Sequence, residues 1–215
     1  IYPRICPQPI KESYLLTSPL EITNEGYALA KITGLKLCEY LNTNYPDKAD
    51  FISVMPCNLY GPGDNYHPEH SHVIPGLMRK FHEAKSSGKS EVVMWGTGSA
   101  KREFLHIDDM ADACVFLMQN HSGAPGQVPG TPGESWVNVG CGEDMPISEL
   151  GRRIAEVVGF DGTITYDHIH PDGTPRKLLD SAKIFSLGWR PSITFSEGLR
   201  ATYEDYKLHK DDYRR

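Results

Sequence analysis

Apolar residues along this chain follow two alternating patterns, helical spacing and short continuous runs. Helical spacing is clearest over residues 24–45, where Ala28, Ile32 and Leu35 recur every three or four positions and Asn24 suits the N-cap. An apolar run over 51–55, stopped by Pro56, predicts a buried strand followed by a loop. The pattern therefore predicts a long helix at 24–45 that leads into a strand.

The same alternation continues to the end of the chain. Further helices are predicted at 73–84, 108–119, 148–158 and 195–208, and further strands at 92–95, 136–139 and 163–166. We expect Ser148 to cap the third of these helices and Gly159 to end it. A Gly- and Pro-rich stretch over 122–135 predicts an exposed loop. Helices that alternate with short apolar strands predict an α/β fold with a parallel sheet.

Composition narrows the class of protein. The 215 residues are 39% hydrophobic and 23% charged, with a formal net charge of −6, which excludes disordered and collagen-like chains and disfavours a broad nucleic-acid surface. No apolar run approaches the roughly 18 residues of a membrane span, and the N-terminus lacks the build of a signal peptide. We therefore expect a cytoplasmic protein with no membrane partner.

Cysteine and histidine spacing bears on redox state and metal binding. The cysteines are odd in number and form no CxxC pair, so we expect reduced thiols at Cys6, Cys38, Cys57, Cys114 and Cys141. Three histidines lie close together in the sequence, but no Cys or acid cluster completes a ligand set there. We predict no metal site.

Tyr27 and Lys31 stand four residues apart on the first helix and so share a face. An ammonium beside a phenol favours the tyrosinate, which makes Tyr27 a candidate proton donor to a carbonyl oxygen. The spacing alone is weak, because two further pairs near the C-terminus share it: Tyr203/Lys207 and Tyr206/Lys210. We expect those two pairs to lie on a solvated terminal helix.

The sequence around this pair resembles a known family. Tyr-x-x-x-Lys, followed by MPCNLYGP at 55–62, is similar to the extended short-chain dehydrogenase/reductase family of nucleotide-sugar enzymes. Further blocks carry the resemblance: NEGYALAKITGLKLCE, SHVIPGLMRKFHEA, VVMWGTG, REFLHIDDMADA and PDGTPRKLLD. It implies the C-terminal part of a Rossmann-type dinucleotide-binding domain at 1–60 and a smaller α/β substrate-binding domain at 61–215. Segments near 103–140 would return to the first domain.

The resemblance also implies an activity. The most similar family members epimerise GDP-4-keto-6-deoxy-D-mannose at C3 and C5 and then reduce C4 with NADPH. Tyr27 would be the acid of the reduction, Lys31 would hold the nicotinamide ribose, and His72 would be the acid or base of the epimerisation. The resemblance places the nicotinamide and its surroundings beside Pro56, Cys57, Asn58, Leu59 and His72. A small buried thiol without chemistry remains the alternative for Cys57.

Substrate binding needs cations, because a diphosphate carries about two negative charges. Charge alone makes Arg79, Lys80, Arg102 and Lys177 candidates. The resemblance assigns Arg102 to the diphosphate and lines the sugar-nucleotide site with Asn58, Lys80, Trp95 and Lys177. An ion pair with Glu103 is the alternative role for Arg102.

A Gly-rich phosphate loop at dinucleotide spacing does not occur in the sequence. The resemblance places that loop, and the epimerase cysteine, upstream of Ile1. We therefore expect that the chain lacks the family's N-terminal part and is inactive by itself. Two alternatives stay open: a C4-reductase of a related GDP-keto sugar such as a heptose, and an inactive sugar-nucleotide-binding fragment. Family members commonly form homodimers through long helices, and we expect the same here.

Overall fold

The computed structural model describes residues 1–123, 135–169 and 172–210, which form two compact units. The first unit comprises Ile1–Cys57, Met110–Glu143 and Lys177–Pro191. The second unit comprises Asn58–Asp109, Asp144–Arg176 and Ser192–Arg215. Most of the loop predicted at 122–135 lies outside the described residues.

Helices and strands alternate along the chain, as predicted for an α/β fold. The helices are α1 Glu25–Asn44, α2 Val73–Ser86, α3 Ile107–Asn120, α4 Ile147–Val158, α5 Ala182–Ser186 and α6 Phe195–His209. The strands are β1 Ser53–Pro56, β2 Asn58–Tyr60, β3 Glu91–Trp95, β4 Lys101–His106, β5 Trp136–Val139, β6 Asp144–Pro146, β7 Thr163–Asp167 and β8 Arg176–Lys177. None of the helices within the described ranges is long and apolar enough to cross a lipid bilayer.

The first unit is built around the parallel pair β1 and β5, in which Met55 lies opposite Asn138. Ile32 and Leu35 of α1 pack with Met55 and Trp136, so the apolar positions that predicted the helix form its buried face. Asn138 is buried, and its side chain accepts a hydrogen bond from the Tyr2 hydroxyl at 2.6 Å. This bond ties the start of the chain to the central strand.

The second unit has two small sheets. In one, β2 is parallel to β4, and β4 is antiparallel to β6; in the other, β3 is parallel to β7 over five residues. Helices α2 and α4 pack against each other and α6 packs on α4, with Phe81, Leu150 and Leu199 at the centre of the core. The parallel pairs confirm the predicted fold class, and β6 adds an antiparallel edge.

The predicted helices and the predicted strands are confirmed to within two residues at each end, but several details were wrong. Pro56 is the last residue of β1 and not its stop, and β2 replaces the expected loop. Asn24 occupies the N-cap of α1 without a side-chain capping bond, and Pro146, not Ser148, is the N-cap of α4. Gly159 does end α4, with φ at 73°.

The terminal helix also departs from expectation. Tyr203 and Tyr206 were predicted on a solvated face, yet both are buried in the core of the second unit. Their rings pack with His82 of α2. The Tyr-x-x-x-Lys pairs of α6 therefore serve packing, because the tertiary contact with α2 covers the tyrosines.

Candidate active site

Tyr27 lies in the first unit, in the first turn of α1, one turn before Lys31. The Lys31 ammonium lies 5.6 Å from the centroid of the Tyr27 ring, as the helical spacing predicts. Tyr27 is 58% exposed, and within the described residues its hydroxyl has no hydrogen-bond partner. The pair thus presents a phenol and a neighbouring cation to an incoming ligand.

The segment after α1 carries the next predicted site residues. Pro56 is exposed at the end of β1, and the Cys57 backbone N–H donates to the Val139 carbonyl at 3.0 Å. Cys57 is half-buried, and none of the five cysteines, all of them in the described residues, forms a disulfide. Lys177, also in the first unit, is exposed and lies at the end of the short strand β8. The prediction of reduced cysteines is confirmed.

Asn58 and Leu59 begin the second unit on β2. The Asn58 side-chain amide donates to the Glu103 carbonyl at 2.8 Å, and Asn58 lies opposite Phe104 in the parallel pair of β2 and β4. This bond fixes the amide at the strand edge. Leu59 is half-buried.

His72 is the N-cap residue of α2, with extended backbone and an exposed side chain. Its carbonyl accepts the first helical bond, from the Gly76 N–H at 3.0 Å, but its imidazole makes no capping bond. The helix therefore holds the His72 backbone while leaving the ring available for acid–base chemistry.

Lys80 and Trp95 come together in the second unit. The Lys80 ammonium donates to the Val93 carbonyl and lies 6.0 Å from the centroid of the Trp95 ring. Burial lowers the pKa of Lys80, while the Trp95 ring is 67% exposed. An exposed indole beside a cation suits a flat, anionic ligand.

Arg102 has a neighbour that sequence reasoning missed. The Asp172 carboxylate accepts from the Thr97 N–H at 2.9 Å and from the Thr97 hydroxyl at 2.6 Å, and these bonds lower its pKa. Burial lowers the pKa of Arg102, and the field of Asp172 opposes that effect. A Cβ at Gly96, where φ is 76°, would overlap the Asp172 carboxylate. The Gly-Thr-Gly sequence after β3 was the available signal for this close approach.

Arg79 is placed differently from the other predicted cations. Its guanidinium donates to the Tyr66 carbonyl at 2.9 Å and to the Glu83 carboxylate at 2.7 Å. These bonds hold the loop before α2 against the helix. Arg79 is thus occupied by two partners within the protein, whereas the hydrogen bond found for the Arg102 guanidinium in the described residues goes to the Lys101 carbonyl at 2.7 Å.

The predicted histidine cluster does not assemble into a metal site. His67 and His70 stack with ring centroids 4.7 Å apart, and His67 Nδ1 accepts the N–H of Glu69 and of His70. Over residues 1–123, 135–169 and 172–210, no three His, Cys, Asp or Glu side chains converge as metal ligands would.

The sequence of the chain is similar to those of a known protein family. Residues 1–130, more than half of the chain, match the family described as the NAD dependent epimerase/dehydratase family. The chain belongs to this family. It is 54% identical over 206 residues to GDP-L-fucose synthase 1 of Arabidopsis thaliana, an alignment that covers 96% of the chain and 60% of that protein.

Two solved structures of proteins named as GDP-sugar enzymes share the fold of this chain. A GDP-L-fucose synthetase from Naegleria fowleri bound to NADP superposes with a TM-score of 0.88 at 27% identity, covering all of this chain and 65% of that one. A GDP-6-OMe-4-keto-L-xylo-heptose reductase from C. jejuni superposes with a TM-score of 0.87 at 33% identity, covering 97% and 68%. The chain thus spans about two thirds of the length of these structures.

Proposed function

We propose that the protein that contains this chain converts GDP-4-keto-6-deoxy-D-mannose to GDP-L-fucose, by epimerisation at C3 and C5 and NADPH-dependent reduction at C4. The observation that carries this proposal is the 54% identity with a GDP-L-fucose synthase over nearly the whole chain. The exposed Tyr27 and Lys31 pair and the ring of His72 supply residues suited to the two reactions.

The reduction needs a proton at the C4 oxygen. NADPH, when bound, supplies the hydride. The donor set at Tyr27 fits the nicotinamide end of that cofactor, because the Tyr27 hydroxyl is exposed without a partner and the Lys31 ammonium lies one turn away. We assign Tyr27 as the proton donor, Lys31 as the cation that binds the ribose and favours proton transfer, and Pro56, Cys57, Asn58 and Leu59 as residues that contact the nicotinamide.

Epimerisation beside a ketone needs a base on one face of the sugar and an acid on the other. We assign His72 to one of these roles, because its backbone is held by α2 and its imidazole is not used for capping. The second group would be the cysteine that the family resemblance places upstream of Ile1.

Most of the residues that the family resemblance assigns to sugar-nucleotide binding belong to the second unit. We assign the diphosphate to Arg102, on which the charge of Asp172 acts, and a further contact to Lys80 beside the exposed Trp95 ring. Asn58 and Lys177 complete the proposed set, and Arg79 acts by holding the loop before α2.

The alternative function is a C4-reductase that does not epimerise. The 33% identity and TM-score of 0.87 with a GDP-heptose reductase favour this candidate next. It would use the same proton donor, Tyr27, and would not need the acid–base pair. An inactive sugar-nucleotide-binding protein remains the third candidate.

We further propose a homodimer through the first unit. Large apolar side chains are exposed on α1 and on α3: Leu29, Leu37, Tyr40, Val115 and Met118. Such a surface is typical of helix pairs that associate. We expect Leu37→Glu to convert a dimer into a monomer in analytical ultracentrifugation, while Lys48→Glu, a surface change outside α1, keeps the dimer. A wild-type monomer would contradict the proposal. The cytoplasmic location stays a prediction.

Deuterium incorporation distinguishes the candidate functions. The protein is incubated with GDP-4-keto-6-deoxy-D-mannose and NADPH in deuterated water, NADPH loss is followed by absorbance, and label is located by NMR. NADPH loss with label at both C3 and C5 supports the synthase. NADPH loss without label supports the reductase, and no loss with retained GDP-sugar binding supports the inactive protein.

A further inference from the structure

The loop between β2 and α2, residues 61–72, is closed by its own side chains. The Asn65 amide donates to the His70 carbonyl at 3.1 Å, and the Asn65 side-chain oxygen accepts the His67 N–H at 3.0 Å. The beginning of the loop is thereby held beside its end. Asp64 is adjacent to Asn65 in the sequence, and His72 is two residues beyond His70. The bond between Asn65 and His70 therefore brings the segment that carries Asp64 close to the segment that carries His72.

Asp64 has an unsatisfied oxygen in this loop. Its Oδ1 accepts the Asn65 N–H at 2.7 Å, whereas its Oδ2 is buried and has no hydrogen-bond partner in the described part of the chain. Burial raises the pKa of Asp64, and the Asn65 N–H and the charge of His72 oppose that rise. A buried carboxylate oxygen without a donor is unfavourable, so it gains from any N–H brought to it.

We propose that Asp64 is the positioning residue for His72, and that its free Oδ2 accepts an N–H of the His72 imidazole. This inference rests on the proposed function, since it gives His72 its acid–base role. A carboxylate bonded to one imidazole nitrogen orients the ring and favours its protonated form. The other ring nitrogen is then directed away from Asp64 and is the one that exchanges a proton with the sugar.

Several other charged and titratable groups around the loop have partners of their own. His67 Nδ1 accepts two backbone N–H groups and its ring stacks on His70. Arg79, from α2, binds the Tyr66 carbonyl and Glu83, and Asp205, from α6, accepts the Gly63 N–H at 2.9 Å. Among these groups, His72 is the one whose charge acts on Asp64.

Asp64→Asn tests the proposal, because the amide oxygen retains the bond from the Asn65 N–H and only the charge is lost. The assay is deuterium exchange at C3 and C5 of GDP-4-keto-6-deoxy-D-mannose without NADPH, recorded from pH 5 to 9. We expect exchange to fall by about 10-fold or more, with an altered pH profile and unchanged substrate affinity. A variant that exchanges at the wild-type rate with the wild-type profile overturns the proposal.

Asp205→Asn is the matched control, since Asp205 also holds this loop, through the bond that its carboxylate accepts from the Gly63 N–H. It should keep the wild-type pH profile. A second measurement needs no Asp64 variant: the carboxyl carbon of Asp64 is titrated by NMR in the wild type and in His72→Asn. The proposal expects the Asp64 pKa to rise in His72→Asn, and an unchanged pKa overturns it. If wild-type protein shows no exchange, the proposed function fails, while this titration still tests the pair.

Discussion

Two Tyr-x-x-x-Lys pairs lie on helices of this protein, Tyr27/Lys31 on α1 and Tyr203/Lys207 on α6. The local geometry is nearly the same, since the ammonium lies 5.6 Å from the ring centroid in the first pair and 5.2 Å in the second. The surroundings differ, because Tyr27 is 58% exposed and Tyr203 is 7% exposed. Helical spacing therefore sets the contact, and tertiary packing decides whether the phenol can meet a ligand.

The difference arises from which helix face each tyrosine occupies. On α1 the buried face runs through Ala28, Ile32 and Leu35, and Tyr27 lies outside it. On α6 Tyr203 is part of the buried face, and its hydroxyl lies 2.9 Å from His82 Nδ1 on α2. Tyr27 is therefore accessible to a ligand, whereas Tyr203 is part of the core.

Removing the Tyr27 hydroxyl should have the largest effect on activity. We expect Tyr27→Phe to lower the rate of NADPH oxidation by about 10²–10⁴-fold, because a general acid contributes that much. Stability should be unchanged, since the hydroxyl makes no internal hydrogen bond. The measurement is kcat with GDP-4-keto-6-deoxy-D-mannose, and Tyr203→Phe is the matched control. Equal losses of kcat in the two variants would contradict the distinction.

Removing the Tyr203 ring should have the largest effect on stability. We expect Tyr203→Ala to lower the free energy of unfolding by about 3 kcal/mol, because a buried aromatic side chain is lost. Tyr27→Ala should stay within about 0.5 kcal/mol of wild type, since its ring is mostly exposed. Urea unfolding followed by circular dichroism gives both values. A small loss for Tyr203→Ala would show that the core tolerates its absence.

Replacing the lysines of the two pairs should also affect activity only in the first pair, with a smaller loss than for Tyr27. Lys31→Met is expected to slow NADPH oxidation about 10-fold or more, because the cation beside the proton donor is removed. Lys207 pairs with Glu204 at 2.8 Å on the surface, so Lys207→Met should change stability by no more than about 0.5 kcal/mol and leave kcat unaltered. A loss of kcat in Lys207→Met but not in Lys31→Met would contradict the role assigned to Lys31.

The contact of Tyr203 with His82 should give the smallest effect, a dependence of stability on pH. Burial lowers the pKa of His82, so its folded form binds fewer protons than the unfolded chain. This contribution to stability is present above the unfolded pKa of about 6.5 and is lost as pH falls from there through the lower pKa of the folded form. We expect the difference in unfolding free energy between pH 7.5 and pH 5.5 to shrink in His82→Gln. An unchanged difference would exclude His82 as its source.

Much of the architecture was predictable because it depends on local patterns. The spacing of apolar residues predicted α1, α2 and α3, and the strand predicted at 136–139 has the same bounds as β5. Strands β2, β4 and β6 were missed, because their residues neither alternate regularly nor form an apolar run. They become strands through pairing with one another, a non-local effect that single-sequence patterns do not contain.

In the candidate site too, local contacts could be predicted from the sequence and long-range contacts could not. Tyr27 and Lys31 could be paired from spacing, whereas Asp172 could not be linked to Thr97 and Arg102, since more than 70 residues separate Asp172 from Thr97 along the chain. Asp109, in the first turn of α3, is buried and accepts the N–H groups of Ser192 and Ile193. These bonds need backbone from a distant segment.

The sequence by itself determined the elements with strong periodicity, the helix face that unites Tyr27 with Lys31, the reduced cysteines and the family. Each of these depends on residue types within a few turns or on similarity along the chain. Only the tertiary structure decided that Tyr203 is buried while Tyr27 is exposed, that Arg79 is occupied by Tyr66 and Glu83, and that Asp64 keeps a buried oxygen without a donor. Burial and long-range hydrogen bonding depend on which segments the fold brings together, and that information is not local.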